Sequence, residues 1–222
     1  DLASGAGLDA ALDGATVVIH CASDPRTAGA DLEAATRLVK AAQGGRPHLV
    51  YVSIVGVDRI PLRYYTEKLA VEQLIERSGV PCTILRATQF HELLLGLMQR
   101  LVRLPIVTVP AGTSFQPVDV AEVAARLIRL ARGLPVGRAP DLGGPQVRSA
   151  ADLARTYLRI RGQRRPVVAV RMPGAIARAY RDGGQLAPEH QGSGRTWDEF
   201  LADTRVGGEP GAAPGPDEGA AA

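Results

Sequence analysis

Three short, nearly continuous apolar runs, each parted from the next by a helix-length amphipathic segment, limit what this chain can fold into. Residues 16–20 (TVVIH), 48–52 (HLVYV) and 81–86 (PCTILR) have strand length and lack the strict alternation of a strand with one wet face. Between the first two, Asp31 to Gln43 puts Leu32, Ala35, Leu38, Val39 and Ala42 on one side of a helix. Between the second and third, residues 62–78 carry Leu62, Leu69, Leu74 and Ile75 along one stripe, and Ser78-Gly79 ends the helix. Pro81 suits a first strand position, where no ladder N–H is needed. Strands apolar on both faces need cover on both faces, and the helical crossovers make their pairing parallel. The expected fold class is α/β, a doubly wound parallel sheet.

Past residue 86 the pattern loosens. It predicts a helix near 90–103, a strand at 106–109, and an amphipathic helix from Asp119 to Arg132 with Val120, Val123, Ala124, Leu127, Ile128 and Ala131 inward. A helix near 149–160, the strand 167–170 (VVAV) and helices near 173–182 and 196–203 follow. The division expected is a sheet domain over 1–135, a smaller α/β region over 136–206 beside the strand ends, and a tail over 207–222. That tail, rich in Gly, Pro and Ala, cannot bury enough to offset its ordering entropy and is expected to be disordered.

Composition excludes several classes. No stretch approaches 18 uninterrupted apolar residues, so no membrane span is expected. Cys21 and Cys82 cannot form a disulfide framework; beside apolar runs they read as reduced core thiols, which points to the cytoplasm. The net charge of +3 is carried almost wholly by arginine, Lys40 and Lys68 being the only lysines. The densest basic stretch (Arg159, Arg161, Arg164, Arg165) reads as a solvated helix end, so no nucleic-acid partner is expected. His20, His48, His91 and His190 show no metal-ligand spacing with each other or the cysteines. There is no P-loop and no G-x-S-x-G turn.

In open α/β sheets ligands bind beyond the carboxyl ends of the strands. The segments to weigh are Cys21-Ala22-Ser23, Ser53 onward, and Ala87 to His91. Ser53 ends one strand; Tyr64 and Lys68 follow, four residues apart on one helical face. A phenol near pKa 10 is a poor acid at neutrality, and a cation one turn away favours the phenolate. Such a tyrosine can exchange protons near pH 7, with a serine hydroxyl to orient a carbonyl. The same spacing also fits a surface Tyr and Lys on the exposed side of the helix.

The segments HCASDP, LVYVSIVGVD, YYTEKLAVEQLIERSGVPCTILRATQF and FQPVDVAEVAARLI together resemble the NmrA-like, atypical short-chain dehydrogenase/reductase group. The resemblance covers residues 1 to about 145 and implies a Rossmann-like fold that binds NAD(P)H, NADP favoured over NAD. It implies that Asp1 and Leu2 contact the adenine and that the backbone of Cys21, Ala22 and Ser23 lies along the cofactor ribose. It gives Lys68 the nicotinamide ribose, Tyr64 the proton-donor role and Ser53 the catalytic hydroxyl, and it sets Ala87, Thr88, Gln89 and Phe90 beside the nicotinamide. His91 and Gln116 are expected to face a small-molecule substrate, and a homodimer is admitted. Ile54 and Val55 stand where related enzymes often place further serines, and Tyr65 could compete with Tyr64.

Gly5-Ala6-Gly7-Leu8-Asp9-Ala10 fits G-x-G-x-x-A in form, but no apolar strand precedes it, and we read it as a false match. Two strand–helix units of a full dinucleotide fold are expected upstream, so the sheet is expected to present an open apolar edge. The function expected is hydride transfer from NAD(P)H to a small organic carbonyl or quinone-like acceptor. The alternatives are a sugar-nucleotide epimerase-like isomerase and a non-catalytic NAD(P)-sensing regulator.

Overall fold

A computed structural model of the chain describes residues 1–206; the tail expected over 207–222 lies outside the described residues. After a short helix α1 (Leu8–Leu12) come β1 (Val17–His20), α2 (Ala30–Gly45), β2 (His48–Ile54), α3 (Arg63–Arg77) and β3 (Cys82–Ala87). The next elements are α4 (His91–Leu101), β4 (Val107–Pro110), β5 (Ser114–Phe115), α5 (Val120–Ala131) and β6 (Gly137–Arg138). The described chain closes with β7 (Arg148–Ser149), α6 (Ala150–Ile160), β8 (Val167–Val170), α7 (Ala175–Arg181) and α8 (Trp197–Val206). No described helix is long and apolar enough to cross a membrane.

The main sheet is parallel throughout, in the order β1-β2-β3-β6, with Val17 opposite His48 and Leu49 opposite Cys82. Strand alternation feeds two separate cores. Leu49, Tyr51 and Ile84 pack under α2 and α3 against Ala35, Leu38, Val39, Val71 and Ile75. Val50, Leu85 and Ala87 face the other way, onto Val118, Val123 and Leu127 of α5 and its approach. Helices therefore cover both faces, as the apolar strands require. Where β1 is the edge strand, Val17 and Ile19 remain exposed.

A third core lies beyond the strand ends. There Leu94, Leu95 and Met98 of α4 meet Leu153 and Tyr157 of α6, Trp197 and Leu201 of α8, and the parallel pair β4-β8. The Trp197 indole N–H donates to the Leu153 carbonyl at 3.2 Å, so its polar atom is satisfied inside the core. The Ser149 hydroxyl caps α6 by accepting from the Asp152 N–H, and the Asp119 carboxylate caps α5 by accepting from the Ala121 N–H.

Two readings of burial are corrected. Val120, Ala124 and Ile128 of α5 are exposed, because α5 meets the sheet along a narrow seam of Val123 and Leu127, continued by Leu130 and Ala131. Cys21 is exposed as well, since β1 ends one residue before it, and Cys82 is only half-buried.

Candidate functional site

The loop leaving β1 and the start of α2 face the Asp1–Ala3 turn across a cleft of about 510 Å³. Asp1, Leu2, Ala22, Ser23, Asp31 and Arg37 line it, so the residues expected at the adenine and the ribose share one wall-to-wall space. The Asp1 carboxylate accepts from the N–H groups of Ala3 (3.0 Å) and Ser4 (3.2 Å), which fixes that turn. Cys21 does not line the cleft; Ala22 does.

Two cleft residues, Ser23 and Asp31, join Tyr64 and Lys68 of α3 behind them in one connected group of four side chains. Ser23 Oγ donates to Asp31 Oδ2 at 2.6 Å and lies 2.7 Å from Tyr64 Oη. A serine has one hydrogen, and an ionised carboxylate can only accept, so the Tyr64 hydroxyl donates to Ser23. Lys68 Nζ stands 3.2 Å from Asp31 Oδ2, with both side chains buried. The Asp31 N–H donates to Glu67, which ties the start of α2 to α3. Burial works against an ionised Asp31, but the Ser23 hydroxyl, the Asp24 N–H and Lys68 together hold its carboxyl below the usual range. The ammonium also sits 5.2 Å from the Tyr51 ring centroid and 5.7 Å from that of Tyr64. Burial, then Lys68, pushes the neighbouring His20 down to about 4, so it is neutral where it stacks on Tyr51.

A second cavity, of about 520 Å³, lies between α4, the β4–β5 segment and α7. Tyr65, Leu93, Leu97, Phe115, Met172 and Tyr180 are among the apolar and aromatic residues of its wall. The Tyr180 hydroxyl donates to that of Tyr65 at 3.4 Å, and burial lifts the Tyr65 phenol above its ordinary pKa. Consecutive tyrosines on α3 thus serve different spaces: Tyr64 reaches Ser23 at the cleft, and Tyr65 lines the cavity.

The other sequence-derived residues fall into two groups. Ser53 turns, by strand alternation, to the same sheet face as Tyr51, but its buried Oγ has no hydrogen-bond partner; Ser23 occupies the place expected for it beside Tyr64. Ala87, Thr88, Gln89 and Phe90 run from the last residue of β3 to the start of α4. Thr88 donates to the Gln116 carbonyl, Gln89 donates to the Gln185 carbonyl, and of the four only Gln89 lines the cavity. His91 and Gln116 line neither space. His91 is wholly buried, stacked on Phe200 and Trp197, with Nε2 donating to the Arg195 carbonyl at 2.9 Å. Gln116, also wholly buried, donates to the Gly144 and Ala187 carbonyls and accepts from the Ala187 N–H. His91 packs into the third core and Gln116 ties together the loops at Gly144 and Ala187, which corrects the expectation that they face substrate.

Ala22, Ala28, Ala30 and Ala34 give the cleft walls of small side chains. Lys68 and Tyr64 do not line it; they stand behind Asp31 and Ser23, which do. Gly5 and Gly7 have positive φ and turn the chain into the five-residue α1; no described strand precedes them. Residues 1–130, more than half the chain, match the family described as NAD(P)H-binding. The chain belongs to the NAD(P)H-binding family. No curated protein sequence matches it. Among solved structures it is similar to the NADPH-dependent quinone oxidoreductase of Escherichia coli complexed with NADPH, at TM-score 0.77 and 18% identity, covering 92% of this chain and 82% of that one. It is also similar to the Citrobacter sp. triphenylmethane reductase complexed with NADP(H), at TM-score 0.74 and 18% identity, covering 91% and 81%. A nucleoside-diphosphate-sugar epimerase from Staphylococcus aureus gives TM-score 0.75 and 16% identity, again covering 91% and 81%. The likeness is one of fold, a Rossmann-like α/β sheet.

Proposed function

We propose that this member of the NAD(P)H-binding family is an oxidoreductase that reduces a small organic carbonyl or quinone-like acceptor, with NADPH as the preferred donor. The observation that carries the reading is Tyr64, whose hydroxyl is held by the cleft residue Ser23 and whose ring packs against Tyr65, a residue of the cavity wall. Asp1, Leu2, Ala22 and Ser23 would hold the adenosine half, and Lys68 the nicotinamide ribose. When bound there, NAD(P)H supplies the hydride. Tyr64 gives its proton to the acceptor oxygen as the carbon takes the hydride. The phenolate left behind is reprotonated from solvent, with the Lys68 ammonium 5.7 Å from its ring centroid. Asp31 keeps Ser23 aimed at Tyr64 and pairs with Lys68.

The choice of NADPH is supported by the E. coli structure, complexed with NADPH, and the Citrobacter structure, complexed with NADP(H). The mostly aliphatic and aromatic cavity wall favours an apolar acceptor over a sugar nucleotide. Tyr64→Phe should lower acceptor-dependent NADPH oxidation by about 10²-fold or more and leave NADPH affinity unchanged. Unchanged turnover removes Tyr64 from the reaction.

A further inference from the structure

On α4 the residues Glu92, Gly96 and Arg100 stand at intervals of four, one above another, and all three line the 520 Å³ cavity. Glycine at the middle of a helix is unfavourable, since it orders more backbone than any other residue. Here neither geometry nor packing asks for it. Gly96 does not have a positive φ, and a Cβ built on it would meet no atom within 4 Å. Gly112, Gly143 and Gly144, by contrast, have positive φ or a neighbour already in the Cβ position. What the absent side chain at 96 does is leave room in the cavity wall.

The charges around that room are unequal. Arg100 and Arg181 line the cavity against the single carboxylate of Glu92. Arg181 is held by donating to the Met172 carbonyl at 2.7 Å, and neither guanidinium is ion-paired among the described residues. Glu92 and Arg100 are eight residues apart, about 12 Å along the axis at 1.5 Å per residue, too far to neutralise each other. The walls between them are Leu93, Leu97, Phe115, Met172 and the two tyrosines.

We infer that the cavity takes a flat aromatic molecule bearing an acidic group, with Arg100 and Arg181 receiving the anion and Gly96 setting the width of the slot. Aromatic faces lie against Leu97, Phe115 and Tyr180, and the guanidinium pair gives the bound orientation its sense. The assignment deepens the reductase reading by naming a substrate class, and its placement beside the reacting groups rests on that reading; the binding itself does not.

The test uses calorimetric titration of the purified chain, without cofactor, with naphthalene-2-sulfonate and with uncharged 2-acetonaphthone. The sulfonate should bind at least tenfold more tightly than the ketone. The double variant Arg100→Gln/Arg181→Gln should bring the two ligands to within about threefold of each other. Gly96→Phe, which fills the slot, should lower the affinity for both at least tenfold, and Gly96→Ala should lower it less while raising the melting temperature. The melting temperature of Gly96→Phe, compared with wild type, separates a filled slot from a lost fold, and Gly96→Ala carries the test if the larger variant unfolds. Equal affinity of the two ligands for the wild type, or full binding by a folded Gly96→Phe, overturns the proposal. Tight sulfonate binding with no reduction of any acceptor would leave the cavity assignment standing and remove the reductase reading.

Discussion

Replacing Asp31 with Asn tests whether the buried group at the head of the cleft holds the fold as well as the site. Asparagine keeps the shape, and its one amide oxygen can still accept from the Asp24 N–H, which bonds Asp31 Oδ1 at 2.6 Å; its NH2 then stands where Oδ2 accepted from the Ser23 hydroxyl at 2.6 Å, so Ser23 must turn to accept there. It removes the one carboxylate that answers Lys68, whose side chain is only 5% exposed. Breaking a buried ion pair on one side costs roughly 3–5 kcal/mol, because the remaining charge stays buried. With the Asp24 N–H bond retained and Ser23 free to turn, the lower figure is expected, about 3 kcal/mol. For a chain of this size that lowers Tm by about 6–12 °C. The second variant of the cycle, Asp31→Asn/Lys68→Met, removes both charges and should recover most of the loss, ending within about 1.5 kcal/mol of wild type. Urea unfolding at pH 7 reads all four corners. The acid limb gives an independent check of sign. The folded Asp31 carboxyl lies below its ordinary pKa, so its contribution is complete above the ordinary value and is lost as pH falls through the depressed one. Asp31→Asn should flatten that part of the profile. A cost under about 1 kcal/mol for the single variant, or simple additivity in the double, would refute the claim that the pair is buried and coupled.

Two further predictions concern the surrounding structure. His20 is held near 4 in the fold against about 6.5 unfolded, so its neutral form favours the fold. Stability should be full above about pH 6.5 and decline toward pH 4, with His20 alone contributing about 3 kcal/mol; His20→Leu should remove that much of the slope in urea midpoints between pH 7 and 4, and an unchanged slope contradicts the assignment. Gly144→Ala should destabilise by about 1–3 kcal/mol, because its Cβ would collide with the Pro117 carbonyl oxygen; an unchanged melting temperature would mean that the two backbones are not in close approach.

Much of the fold was legible because the burial it requires is local. The three runs at 16–20, 48–52 and 81–86 are apolar on both faces, and a parallel sheet between helices is the arrangement that covers them. The fourth strand, Gly137–Arg138, was not legible, since two residues with no apolar side chain carry no periodicity. The stripe of α5 was misread at Val120, Ala124 and Ile128 because periodicity reports which residues could be buried, not how wide the receiving surface is. The site divides in the same way. Tyr64 and Lys68 were visible because the helix itself sets their spacing. Ser23 and Asp31 were not, as a bonding group, since Ser23 and Tyr64 are 41 residues apart and only the finished fold brings them to 2.7 Å. His91 and Gln116 lie just past strand ends, where polar residues suggest ligands. Their hydrogen bonds instead go to backbone carbonyls at 195, 144 and 187, far along the chain.

The account rests most on the cleft between Asp1–Ala3 and the start of α2 as the place where the adenosine half of NAD(P)H is held. Titrating NADPH fluorescence against the wild-type protein and against Ala34→Trp, which fills the cleft from half-exposed α2, tests it directly. The prediction is saturable enhancement for the wild type, at least tenfold weaker for Ala34→Trp, with the two melting temperatures alike. The same NADPH affinity in a folded Ala34→Trp protein would contradict the account and place the dinucleotide elsewhere on the molecule.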